Sequence, residues 1–384
     1  MRLVVFSLFI LGFMIVPNLL WWWWADRRLR PRRAARIALA AFMVPMLAQI
    51  LSLIILPEWS RRSHQTLPEW WMVCVYLWHL LILPTAGILV LLAATARRVR
   101  RIWRRPALAA APDPSRRALL RQWAVWTPPV ATGVAYFLSA ARLQDFRVRR
   151  LELPVAGLPR VLDGMTIAHV TDLHYGKYTR EDTVTRIVAA TNRLRADLVL
   201  MTGDLIDLSL ADLPAAIDAV RRIDGPMYTC EGNHDRIDDG DRFVAEVKRA
   251  GIALLHDEVA TLRVRGHDVQ LAGAAWNGGG ARQQSSLDHL RSLRDPDAFP
   301  ILLAHHPHAF DHADGFPLTL AGHTHGGQLM WNERLGWGPI LFRYWSGVYE
   351  RHGRKLFVSN GIGNWFPLRT AAPAEIVHLT LRSV

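Results

Sequence analysis

The chain has 384 residues, 51% of them hydrophobic, and a formal net charge of +13; that length allows two or three units of ordinary domain size, one with a large core. The excess of positive charge would fit a nucleic-acid binder, but residues 1–150 carry 22 Lys and Arg against 5 Asp and Glu, and the remainder carries 24 against 28. Basic residues confined between apolar runs are a membrane-topology signal, and the acidic balance of the remainder argues against a nucleic-acid face there. Two cysteines, Cys74 and Cys230, lie in very different segments and make no disulfide framework.

In chain order, residues 3–24 form an uncharged run long enough to cross a bilayer, ending in Trp21 to Trp24, which suit an interfacial aromatic belt. Further spans are expected at 37–56, 70–96 and 122–140, the last weakened by Thr127, Pro128 and Pro129. The expected organisation is an all-α transmembrane region of about four helices over 1–141, followed by a globular domain over 142–384. Six arginines fall in 25–36 and nine in 97–121, whereas 57–69 holds only Arg61 and Arg62. The positive-inside rule puts the first two segments in the cytoplasm and, with four spans, the C-terminal domain on the outer face of a bacterial inner or plasma membrane. Arg142, Arg147, Arg149 and Arg150 oppose this more weakly. No charge inside the spans points to a transport pathway, so the region reads as an anchor. The Ala/Pro-rich stretch 107–117 reads as a linker.

From about residue 151 short apolar runs end in polar, Gly-containing turns: MTIAHVTDLH, DLVLMTGD, PMYTCEGNHD, ILLAHHP and LTLAGHTHGG. Helical patterns near 180–194, 212–223, 240–250 and 285–294 separate them, which predicts an α/β domain. KLFVSN and EIVHLTL are expected to close a second sheet. Ligands in such folds gather where strands end, and each run ends in residues able to hold a metal. Asp172 and His174 have i, i+2 spacing, and Asp204 follows Gly203. Asn233 offers a neutral oxygen beside His234 and Asp235, and His305 directly follows ILLA. His323 and His325, if extended, leave one face and can serve one metal or two adjacent ones. Each motif alone is ordinary in a turn, and an aspartate such as Asp204 is as often a helix cap. His306 and His308 read as surface or supporting residues. His256, His267, His289, His312, His352 and His378 lack any such setting.

Taken together, D-x-H, G-D, G-N-H-D, a strand-end His and G-H-x-H resemble the calcineurin-like metallophosphoesterase superfamily, and within it the bacterial membrane-associated branch carrying G-H-T-H-G-G-Q. The resemblance covers about 160–384, including FVSNGIGNWFPLR and PAEIVHL, and not the spans. It implies a four-layer α/β/β/α sandwich with a dinuclear site. Asp172, His174 and His325 would bind one ion and Asn233, His305 and His323 the other. Asp204 would bridge them, one carboxylate oxygen serving each cation. His234 would assist the leaving group, oriented by Asp207, with Asp235 as a supporting residue. A nitrogen and oxygen donor set suits two divalent or trivalent ions among Mn, Fe, Zn, Co and Ni. The substrate implied is a phosphomonoester or phosphodiester, lipid- or envelope-linked esters among them, and no nucleic acid. Its rivals are a cytoplasmic-face pyrophosphatase acting on a nucleotide-linked lipid precursor and a non-catalytic scaffold. The segment 272–277 carries no carboxylate, 276–283 reads as a loop, and the aromatic-rich insertion 331–349 suits either packing or contact with a bilayer.

Overall fold

The computed structural model describes residues 10–55, 67–103, 114–140, 143–278 and 280–384, which divide into two compact units, Met1–Ala141 and Arg142–Val384. The expected positions 3–9 and 56, most of the 57–69 loop with Arg61 and Arg62, much of the 107–117 linker, and Arg142 lie outside the described residues.

The first unit is helical. A π-helical turn, Ile10–Ile15, leads into α1 (Val16–Leu29), and α2 spans Arg33–Ile55. Next come α3 (Glu69–Tyr76), a π turn (Leu77–Ile82), α4 (Leu83–Trp103) and α5 (Pro114–Ala140). Among the described residues two helical stretches are long and apolar enough to cross a membrane, Arg33–Ser52 and Trp70–Val99. The expectation of about four spans is therefore met at two. The 14 residues of α1 end in Asp26, Arg27 and Arg28. The apolar part of α5 is diluted by Thr127, Pro128 and Pro129, although the helix runs through them.

The tryptophans serve packing as well as the surface. Trp21 and Phe42 meet the buried Trp78 edge-on at 5.0 and 4.9 Å. The indole of Trp78 donates to Asn18 Oδ1 at 2.6 Å, which satisfies a buried amide. The guanidinium groups of Arg27 and Arg28 cover the exposed Trp23 and the half-buried Trp24 at 4.0 and 3.7 Å.

The second unit holds two six-stranded mixed sheets. The first is ordered β1 (Phe146–Val155), β12 (Ala374–Ser383), β2 (Thr166–Val170), β3 (Leu198–Thr202), β4 (Met227–Cys230), β5 (Ala253–Leu254). The second is ordered β10 (Gly347–Arg351), β11 (Arg354–Val358), β9 (Leu318–Ala321), β8 (Phe299–Leu303), β7 (His267–Gly273), β6 (Glu258–Val264). The central strands β2 to β5, and β7, β8, β9 and β11, pair in parallel. Runs such as LVLMT in β3 and FPILL in β8 are buried throughout, the pattern of strands covered on both faces. EIVHLTL departs from expectation. As β12 it joins the first sheet, antiparallel to β2, while KLFVSN supplies β11 of the second.

Leu198, Leu200, Ile301, Leu303, Leu320 and Phe357 share one buried cluster drawn from both sheets. A second cluster joins the first sheet to α6 (Glu181–Leu194), α7 (Leu213–Val220) and α8 (Gly240–Arg249), and a third joins the second sheet to α9 (Ala281–Ser292). Glu181 and Asp182 oppose the dipole at the start of α6, and the Asp239 carboxylate caps α8 by accepting from Arg242 N–H at 3.0 Å. Parallel pairing brings the C-terminal ends of β2, β3 and β4 to one edge, and those of β8 and β9 to the corresponding edge of the second sheet.

Candidate metal centre

All seven expected ligands follow directly on those five strand ends. Five of them do not lie on extended chain. Asp172, His174, Asp204, His323 and His325 have φ between 45° and 71°, the left-handed region that non-glycine residues rarely occupy. Such strain persists where surrounding contacts impose it, and it gathers at functional sites. The glycines beside these residues make room. A Cβ on Gly322 would meet Asp172 Oδ2 at 2.2 Å, and one on Gly232 would meet Asp204 Oδ1 at 2.1 Å.

Left-handed backbone at His323 and His325 turns their rings apart, against the shared face expected of an extended H-x-H. His325 Nε2 lies 3.0 Å from His174 Nε2 and 3.2 Å from Asp172 Oδ1. His323 Nδ1 lies 2.7 Å from Asn233 Oδ1 and 3.3 Å from His305 Nε2. Between these groups sits one oxygen of Asp204, Oδ2, at 3.5 Å from His174 Nε2 and 3.1 Å from His305 Nε2. The other oxygen, Oδ1, accepts the His234 backbone N–H at 2.8 Å. The two halves thus meet at a single oxygen, where one oxygen for each half was expected.

This donor set fits a pair of cations. Nitrogen and oxygen atoms that ligate one ion at about 2.0–2.1 Å stand roughly 3–3.5 Å apart. Most facing pairs here have that spacing, including imidazole nitrogens of His174 and His325 turned toward each other. Burial alone would raise Asp172 and Asp204, yet the imidazoles around them (His325, His305 and His174 for Asp172; His305, His174 and His234 for Asp204) hold both below the usual carboxylate range. Burial pushes His325 down to about 4 and His323 well below the ordinary value, leaving both rings neutral. His305 goes the other way. Burial opposes its charge, but Asp204 holds it up at about 9, a proton that a metal must displace.

His234 is set beside the cluster, its ring 4.5 Å from that of His174. Its Nδ1 is 2.7 Å from the Asp207 carbonyl oxygen and 3.2 Å from Asp207 Oδ1. Asp207 Oδ1 is also 3.6 Å from His174 Nδ1, so this carboxylate backs both rings. Burial works against a charge on His234, but its hydrogen bond to Asp207 and the field of Asp204 raise it to about 9. Cations at Asp204 would draw that value down by repulsion.

Three features support the ligands; Asp235 was expected in that role, and Arg369 and the two flanking indoles were not. The buried Asp235 carboxylate accepts four backbone N–H groups, of Asp204, Leu205, Ile206 and Gly232, at 2.8–3.1 Å, and so ties the Asp204 turn to the Asn233 turn. Arg369, within the FPLR stretch, is partly buried and uses all five donors. They go to Asn364 Oδ1, the carbonyls of Asn360, Ala372 and Gly363, and His325 Nδ1 at 2.7 Å. That last contact fixes the ring of His325 and makes Nδ1 the acceptor, so the neutral ring carries its proton on Nε2 and must give it up before Nε2 can bind a metal. Two indoles wall the site, Trp276 at 5.4 Å from the His323 ring and Trp365 at 5.9 Å from the His234 ring. Trp276 stands in the carboxylate-free segment, its backbone N–H held by the buried Glu231 at 2.7 Å. His306 stacks on His323 at 4.7 Å and on His308 at 4.8 Å, outside the donor cluster.

Two sheets that deliver Asp, Asn and His side chains from five strand ends to one buried cluster define a metallohydrolase-type centre. Residues 165–366 match the calcineurin-like phosphoesterase family, and the chain belongs to it. It is 27% identical over 259 residues to a transmembrane protein with metallophosphoesterase domain of Danio rerio, covering 62% of this chain and 58% of that protein. It is 29% identical over 227 residues to a metallophosphoesterase of Helicobacter pylori, covering 56% and 60% respectively. A phosphodiesterase of Escherichia coli, YaeI, is 28% identical over 239 residues, covering 56% of this chain and 81% of its own. The chain thus spans about three-fifths of the length of the first two relatives.

Proposed function

We propose that the protein is a membrane-anchored, two-metal phosphoesterase hydrolysing a phosphomonoester or phosphodiester, with its spans in 1–141 and its catalytic domain in 142–384. The convergence of both half-clusters on Asp204 Oδ2 carries this reading. Asp172, His174 and His325 would hold one ion, Asn233, His305 and His323 the other, and Asp204 both. The buried clusters on either side of each sheet support an α/β/β/α layering. Mn, Fe, Zn, Co and Ni all suit the donors.

When bound, the pair of cations would lower the pKa of water and offset negative charge on the phosphoryl oxygens. The chain supplies the rest. Asp235 and the glycine turns hold the ligand side chains in place before substrate arrives, so little reorganisation is left to the reaction. His234, with Nδ1 held at Asp207, would offer a protonated Nε2 to the departing alkoxide. Trp276 and Trp365 restrict water on both flanks and offer apolar surface to the ester's organic group.

The purified full chain, supplied with each of these metals, should turn over at least one of a panel of lipid phosphates, glycerophosphodiesters and UDP-linked lipids. No turnover on the whole panel with any metal would leave a non-catalytic scaffold. For orientation, the arginine-rich segments favour an outer-face catalytic domain if 122–140 spans as the fourth helix, and a cytoplasmic one if it does not. With four spans a C-terminal alkaline phosphatase fusion should be active and a GFP fusion dark; the reverse pair would place the domain in the cytoplasm.

A further inference from the structure

Next to the metal centre stands an ordered element whose outer surface is apolar. Five large side chains within eleven residues are exposed: Trp331 at 84%, Leu335 at 57%, Trp337 at 36%, Ile340 at 74% and Leu341 at 60%. They are held, not loose. Trp331 N–H bonds to the Leu335 carbonyl at 2.8 Å, and Asn332 Oδ1 accepts from Arg334 and Leu335 N–H, which closes a turn. The short helix α10 (Trp337–Leu341) follows, pinned from below by the buried Met330, whose sulfur accepts the Gly338 N–H at 3.3 Å. A water-facing surface avoids so dense an apolar group, and a fixed one marks contact with an apolar partner.

The element is joined to the metal loop. A Cβ on Gly327 would meet Gly338 Cα at 2.3 Å, so the two backbones touch. Phe342, directly after α10, sits edge-on to the His323 ring at 6.1 Å, and the Thr324 hydroxyl donates to the Trp345 carbonyl at 2.6 Å. Arg334 lies among the apolar residues and Arg343, 3.4 Å from Asp311 Oδ1, follows them, with Glu333 as the single acid between 329 and 343. Tryptophan and aliphatic side chains edged by arginine match the interfacial layer of a membrane with anionic headgroups. The same chain carries two helices able to cross a bilayer, so a lipid surface is the partner within its reach.

We propose that residues 331–341 form a wedge that enters the headgroup layer of a lipid bilayer and presents the metal centre to phosphoesters held at that surface. This deepens the reading of the chain as a membrane-anchored phosphoesterase and names its substrates as amphiphilic. The test uses the full chain carrying Ile340→Cys, labelled with a polarity-sensitive fluorophore and reconstituted into nanodiscs of phosphatidylglycerol and phosphatidylethanolamine. The signal is read above that of the unsubstituted chain, where Cys230 is buried and Cys74 half-buried. Nitroxide-bearing lipids should quench the label by about two-fold or more, while a label at the exposed C-terminus, Val384→Cys, keeps its intensity. Equal intensity with and without nitroxide lipids overturns the wedge. So does a blue-shifted, unquenched label that responds only when two chains share a disc, which would make the element a contact between copies. Labelling needs no turnover. An inactive chain that is still quenched would leave the wedge and sink the hydrolase, and an active, unquenched chain would do the reverse.

Discussion

Asp204→Asn is expected to lower phosphoester turnover by about a thousand-fold or more while the protein still folds. Asparagine keeps the size and an oxygen to accept the His234 N–H, now made by Oδ1 at 2.8 Å. It also tolerates the left-handed backbone at this position, where φ is 53°. What it removes is the negative charge at Oδ2, the one atom facing both half-clusters. Without metal, the variant should melt somewhat lower than the wild type, because burial opposes the Asp204 charge but the imidazoles of His305, His174 and His234 more than offset that cost and favour the ionised form. Added metal should raise the melting temperature of the wild type much more than that of the variant, since stabilisation follows occupancy. Wild-type turnover in Asp204→Asn would overturn the bridging assignment.

His234→Ala should cost about 10²–10⁴-fold in turnover of an alkyl phosphoester and leave metal stoichiometry unchanged. The ring lies beside the cluster, 4.5 Å from His174, and its Nδ1 is committed to Asp207. Its expected task is protonation of the leaving oxygen. An aryl ester with a good leaving group needs that proton less, so its loss should be markedly smaller. Equal losses on both esters would mean that His234 acts on binding or charge alone. Loss of metal would make it a ligand.

Much of this architecture could be read from the chain. Each apolar run from MTIAHV to LTLA ends in a polar turn, and the structure puts a strand in each run and a donor just beyond it. The two edges were harder. FRVRRLELPV alternates, but its arginines made β1 look like a membrane flank, and EIVHLTL carries no local mark of which sheet it joins. The geometry of the centre was not legible either. Positive φ at His323 and His325 is imposed by contacts with Asp172, Asn360 and Arg369 far away in sequence, and only Gly322, Gly326 and Gly327 hint at it. Asp235 and Arg369 act through backbone amides, carbonyls and a ring nitrogen, partners that no motif spells out. In the N-terminal unit the segment 122–140, interrupted by Thr127 and paired prolines, still makes a helix but is not among the long apolar ones of the described residues.

The central claim is a hydrolytic site built for two ions. It is tested most directly by stripping the full chain with a chelator and titrating metal back while turnover and bound metal are followed together. Activity should vanish on stripping and return to a plateau at about two equivalents per chain. Apparent affinity should rise with pH, because the His305 proton, held at about 9 without metal, must leave on loading. Full turnover in the stripped protein, or a plateau at one equivalent, would contradict it.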